Sequence, residues 1–104
     1  MRVVIDHQGR AIRLTIERQR HILQHAEMVG LGGEIDRALA GPDCVVVSLS
    51  DADTRLYYRY LAQTIVGSKY LCVVVKMLPN DPFVITAYLT DKVKKGRVLW
   101  PSAV

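Results

Sequence analysis

Apolar and polar positions change period twice along the chain. Residues 3–14 read VVIDHQGRAIRL, two short apolar runs around a polar stretch containing Gly9. That pattern predicts a β-hairpin with a four- or five-residue loop. At Thr15 the spacing becomes helical. Thr15 is a good N-cap, and Glu17 follows in the first turn, where a carboxylate meets the positive end of the helix dipole. A helix is predicted from about Ile16 to Met28, with Ile16, Ile22, Leu23 and Ala26 as its core stripe. Glu17, His21 and His25 recur at intervals of four and share another face. Gly32-Gly33 break this helix, and EIDRALA, closed by Gly41 and Pro42, predicts a second one over about 33–40 with Ile35 and Leu39 as its apolar pair.

After Pro42 the texture is that of strands: CVVVSLS, TRLYYRYLA, KYLCVVVKM and PFVITAYLT, separated by Ser50-Asp51, Gly67-Ser68 and Pro79-Asn80-Asp81. Connections this short cannot hold the crossover helices that parallel strands require, so consecutive strands are expected to be antiparallel. The final VLWP reads as a short edge strand ended by Pro101. The expected fold class is α+β: a single domain over 1–104 with one or two N-terminal helices packed on an antiparallel β-sheet meander of four or more strands.

Composition narrows the setting. Half of the residues are apolar, yet no run approaches the roughly 18 residues of a membrane-spanning helix, so no membrane partner is expected. The opening MRVVIDHQGR lacks the apolar core of a secretory signal, which points to the cytoplasm. Cys44 and Cys72 lie in Val-rich runs and are expected as free, buried thiols. Fourteen Lys and Arg against ten Asp and Glu give a formal charge of +4, which favours an anionic partner. Lys92, Lys94, Lys95 and Arg97 follow the last acid, Asp91, and suit a phosphate backbone as well as they suit a solvated chain end.

Strand alternation divides the chemistry-bearing residues. In TRLYYRY, Leu56, Tyr58 and Tyr60 form one set, and Arg55, Tyr57 and Arg59 the other. Leu71, Val73 and Val75 form an apolar set in the next run, whose opposite set ends in Lys76. Phe83, Ile85, Ala87 and Leu89 leave Val84, Thr86 and Tyr88. Taking the apolar sets as inward places Arg59, Lys76, Thr86 and Tyr88 on one face. Arg forks onto phosphate oxygens, Lys adds a point charge and Thr a hydrogen bond, which together suit a phosphodiester. His21 or His25 would supply the group that titrates near neutrality.

Two other motifs are weaker. His21 and His25 have the i, i+4 spacing of a zinc-binding helix, but Ile22 stands where the metalloprotease Glu belongs, and no Cys–His cluster completes a closed site. No metal or other cofactor is therefore expected. Gly30, Gly32 and Gly33 precede a helix as a phosphate loop would, but no strand leads into them and no P-loop Lys follows, so they read as a turn.

The ordered set TIERQRHILQHAEM, a Gly-rich break, a short helix ending AGPD, a Val-rich strand, LYYR, KYLCVVVK and FVITAY resembles the phage-associated members of the barnase–EndoU–colicin E5/D–RelE superfamily of metal-independent ribonucleases. The resemblance covers roughly residues 12–100. It implies a RelE-like (BECR) fold and an endoribonuclease, toxin-like in many members, acting on RNA with a cognate antitoxin or immunity protein as a further partner. The site it implies is His21, Arg59, Lys76 and Thr86, with His25 and Tyr88 as additions, and the 2′-hydroxyl of RNA as nucleophile. The alternative is a non-catalytic module that binds RNA or a protein through the same basic face.

Overall fold

In the computed structural model residues 1–101 are described, and 102–104, the last of the expected domain, lie outside them. Seven strands form one sheet: β1 (Arg2–Ile5), β2 (Ala11–Leu14), β3 (Cys44–Val47), β4 (Thr54–Thr64), β5 (Gly67–Leu78), β6 (Asp81–Thr90) and β7 (Val98–Trp100). Their order is β1-β2-β6-β5-β4-β3-β7. The central β3–β6 meander is antiparallel throughout, as its short turns demand. The first hairpin has a five-residue loop and joins β6 by a parallel contact, Arg13 opposite Phe83, so the sheet is mixed. The strand ended by Pro101 lies at the other edge, against β3. Although β1 and β7 are opposite edges, the His7 and Trp100 rings stand 5.0 Å apart. The sheet therefore curls until its edges approach at one end.

Helices α1 (Ile16–Leu23) and α2 (Gly32–Ala40) lie between β2 and β3 in the chain and pack on one face. The Thr15 side chain accepts a hydrogen bond from the Arg18 backbone N–H at 3.0 Å, the cap the sequence promises. The helix expected to reach Met28 stops at Leu23; His25 is extended (φ −68°, ψ 131°), and Ala26–Met28 form a separate 3-10 turn. Packing explains the break. In a continuous helix of 3.6 residues per turn, Met28 would lie about 120° from the Ile22 direction, whereas here both are fully buried. The same rotation removes Ile16 from the expected core stripe, and it is 62% exposed. Ala26, carried out of the helix, is exposed as well.

Both faces of the central sheet are covered. On the helix side, Ile22, Met28, Ile35 and Leu39 meet Tyr57, Leu71, Val73 and Ala87. On the other side Val46, Leu56, Tyr58 and Cys72 form a second core, with Val93 packed on it. Residues 91–97 lie over this face as a strap. The Lys94 backbone N–H donates to the Tyr58 hydroxyl at 3.1 Å, and the Val47 N–H to the Arg97 carbonyl at 2.9 Å. Cys44 and Cys72 are free thiols, the second buried.

The register corrects two assignments made from alternation. Tyr57, not Tyr58, faces the helices, so the inward set of β4 is Arg55, Tyr57 and Arg59. In β6 a register shift opposite Val74 and Val75 pairs Val75 with Val84 and Lys76 with Phe83. The bulge turns Val84 inward and puts Phe83 on the strap side, splitting the expected set, while Ala87 remains buried among the helix-side residues.

Gly96 marks the tightest point of the strap. A Cβ there would stand 2.4 Å from the Val47 carbonyl oxygen and 2.6 Å from Val46 Cγ1. The obstacle is backbone that the sheet holds in place. Gly96→Ala is expected to destabilise the fold by about 1–3 kcal/mol, read as a lower urea midpoint at unchanged slope.

Candidate functional site

The expected constellation does not assemble, because the sheet separates its members. Lys76, Thr86 and Tyr88 share the strap-side face: Lys76 pairs with Phe83, Val74 with Thr86 and Cys72 with Tyr88. Lys76 Nζ donates to the Asp51 carboxylate, whose pKa that hydrogen bond lowers to about 2. Its charge is thereby committed within the protein. Burial holds the Tyr88 hydroxyl above the ordinary tyrosine pKa, with the adjacent Cys72 adding to the effect.

Arg59 lies on the opposite face, across from the buried Leu71. It donates to the Gly41 carbonyl at 2.9 Å and lies 3.9 Å from Glu34, where it fastens the end of α2. His21 and His25 are exposed in the helix layer, their rings 6.0 Å apart. His21 borders a shallow hollow with Thr15, Glu17 and Arg18. Among the described residues no three His, Cys, Asp or Glu side chains gather as metal ligands. Lys92, Lys94, Lys95 and Arg97 are exposed on the strap, and Lys94 and Lys95 border a hollow of about 360 Å³ beside Ser48–Ser50 and Leu56.

Ionisable groups converge instead under the β1–β2 loop. That loop turns through Gly9 at φ 85°, a conformation open to glycine at little cost. The Asp6 carboxylate lies inside it, fully buried. One oxygen accepts the backbone N–H groups of Gln8 (3.0 Å) and Arg10 (2.9 Å), and the other accepts Arg10 Nε (2.9 Å) and the Tyr57 hydroxyl (2.7 Å). A buried charge is tolerable only with such partners. Burial alone would raise the Asp6 pKa, but the hydrogen bonds from Tyr57, Arg10 and Gln8 outweigh it and hold the carboxyl below its ordinary value. Tyr57 is pushed the other way, first by burial and then by the carboxylate its hydroxyl bonds.

His7 is set by the same loop. Its backbone N–H donates to the Leu39 carbonyl at 3.0 Å, and its ring lies edge-on to Tyr57 at 5.9 Å. Both ring nitrogens are buried without a hydrogen-bond partner among the described residues. The ring borders a cleft of about 260 Å³ with Gln8, Arg10, Val45, Arg55 and Leu99. Burial lowers the His7 pKa; the Asp6 charge opposes this, and Arg10 and Arg55 add to the lowering. An imidazole whose pKa is lowered, in one cleft with two guanidinium groups, can accept a proton beside an anion that those groups hold.

The alternation that misplaced Arg59 does put Arg55 and Tyr57 on one face. What the sequence hides is that residues 6–10 fold onto them, and the only local signal is Asp6 four residues before Arg10 across a glycine turn. Comparison of the chain with protein-family models, curated proteins and solved structures finds no match.

Tyr57→Phe removes a donor from a buried carboxylate and is expected to cost about 1.5–3 kcal/mol in urea unfolding. The folded pKa of Asp6 is lowered, so its stabilisation is complete above the unfolded carboxylate value of about 4 and is lost as pH falls through the folded one. Stability measured below about pH 4 should therefore fall less steeply in Asp6→Asn than in the wild type.

Proposed function

We propose that the chain is a metal-independent endoribonuclease whose reacting phosphate lies in the cleft beside His7. One observation carries this reading: an imidazole with both nitrogens unpartnered shares the wall of one cleft with Arg10 and Arg55. Arg55 makes no side-chain hydrogen bond or ion pair among the described residues, while Arg10 is aimed by Asp6. The two guanidinium groups would hold the non-bridging phosphate oxygens and stabilise the charge that grows at phosphorus. Neutral His7, whose nitrogens are buried at rest, would turn a ring nitrogen toward the cleft and take the 2′-hydroxyl proton as the 2′-oxygen bonds to phosphorus. The bond to the 5′-oxygen then breaks, that oxygen gains a proton from water, and a 2′,3′-cyclic phosphate remains.

The resemblance to the barnase–EndoU–colicin E5/D–RelE superfamily supports the same class of reaction. With it come a BECR-type fold, a toxin-like role in the cytoplasm and a cognate inhibitor as further expectations. The catalytic group, however, moves from His21 to His7, and the phosphate cations from Arg59 and Lys76 to Arg10 and Arg55.

Single-stranded RNA incubated with the protein in EDTA is expected to yield fragments ending in 2′,3′-cyclic phosphate, with DNA left intact. His7→Ala should slow cleavage by about 10²–10⁴-fold, while His21→Ala and Lys76→Ala leave it unchanged. Cleavage that needs a divalent ion, or His7→Ala as active as the wild type, overturns the reading.

The strap-side face supports a second reading, RNA binding without turnover. Tyr60, half exposed, packs 5.4 Å from the Tyr70 ring, and Lys94 lies 6.0 Å above the Tyr88 ring. Aromatic rings among lysines suit sequence-tolerant stacking of bases. RNA association that Lys94→Ala and Lys95→Ala weaken, and that His7→Ala leaves alone, would favour it.

A further inference from the structure

Arg10 and Arg55 border two hollows rather than one. Beyond the His7 cleft they also line a second, of about 390 Å³, whose other walls include Ala11, Met77, Pro79, Asn80 and Pro82. We infer that this second hollow is a nucleobase subsite, taking the base next to the phosphate held at the two arginines, with Asn80 selecting adenine. The inference rests on the phosphate reading of the cleft.

Three observations support it. First, the chemistry of the walls suits a flat ring: the thioether of Met77 and the rings of Pro79 and Pro82 are apolar, and no carboxylate lines the hollow to repel a nucleotide. Second, the site is built on a braced turn. Arg13 grips Asp81 through two bonds of 2.9 and 2.8 Å, and the Met77 N–H donates to the Asp53 carbonyl at 2.7 Å. These hold both ends of the two-residue turn Pro79-Asn80 that joins β5 to β6. Third, Asn80 is exposed at the tip of that turn and borders the hollow, where its carboxamide is open to a ligand. A free carboxamide offers a donor beside an acceptor, the complement of an adenine edge.

The shared wall gives the order of groups: phosphate at Arg10 and Arg55, ring against Met77 and the prolines, exocyclic amine toward Asn80. It requires an unpaired base, because a base within a duplex has no free face to lay against such walls.

The experiment is a titration of the ¹⁵N-labelled protein with adenosine, guanosine, cytidine and uridine 3′-monophosphates, and with ribose 5-phosphate as the baseless control. Adenosine monophosphate is expected to bind about tenfold more tightly than ribose 5-phosphate, from stacking and the amide contact. Its shifts should spread over Ala11 and residues 77–81, and Asn80→Ala should level adenosine with the other nucleotides. Equal affinity for adenosine monophosphate and ribose 5-phosphate, with shifts confined to His7, Arg10 and Arg55, overturns the base subsite and leaves the phosphate cleft standing. Absence of shifts at His7, Arg10 and Arg55 with every ligand overturns both.

Discussion

The Asp6 carboxylate is the charge on which the candidate site depends. It lies at the end of the first strand, sealed from water, and four donors from Gln8, Arg10 and Tyr57 satisfy it. Withdrawing any of them would leave a buried anion short of partners, a costly state that keeps the cluster intact. Through that requirement a surface loop acquires the rigidity of a core element. The loop is fixed to Tyr57 of β4, although β2, β6 and β5 lie between β1 and β4 in the sheet. The same anchor sets the backbone from which His7 projects and orients the guanidinium of Arg10.

A convergent set of groups thus arises from segments distant in the chain: residues 6–10, the start of β4, and Leu99 with Trp100 at the far edge. Curling of the sheet brings them together, since β1 and β7 would stand well apart in a flat one. Burial lowers the His7 pKa against the pull of the Asp6 charge and the two cations add to the lowering, while those cations make its neighbourhood attractive to an anion. Both effects suit the proposed chemistry on a phosphodiester. An anion between the arginines would offset their influence on the ring and make it a better proton acceptor as the ligand settles.

Elements governed by local patterns were legible from the residues alone. The first hairpin and its loop, the Thr15 cap, the second helix with Ile35 and Leu39, the antiparallel meander and the edge strand before Pro101 all follow from nearby spacing and turn chemistry. The facing of β4 was not, and the cause is physical. Alternation identifies an inner face only where the other face is wet. Here Tyr57 is buried under the helices while Leu56 and Tyr58 are buried under the strap, so the row LYY contains no polar member to break the tie. Arg59 follows Tyr57 to the helix side, and the β6 bulge adds a second inversion that no local signal announces. The site is the least legible part, since face decides its members. His7 and Arg10 give no signal of their own, because a polar loop in a short hairpin looks like ordinary solvated chain unless a buried carboxylate lies within it.

The strap over Val46, Tyr58 and Cys72 also bears on how the protein is made. Translation delivers the hairpin, both helices and the whole meander before residues 91–97 leave the ribosome. During that interval the helix-side core can close, whereas the opposite face has only water against its Tyr, Val and Cys side chains. The nascent chain therefore carries one finished and one unfinished surface. Once made, residues 91–97 are the cover that takes this apolar face away from contact with other chains.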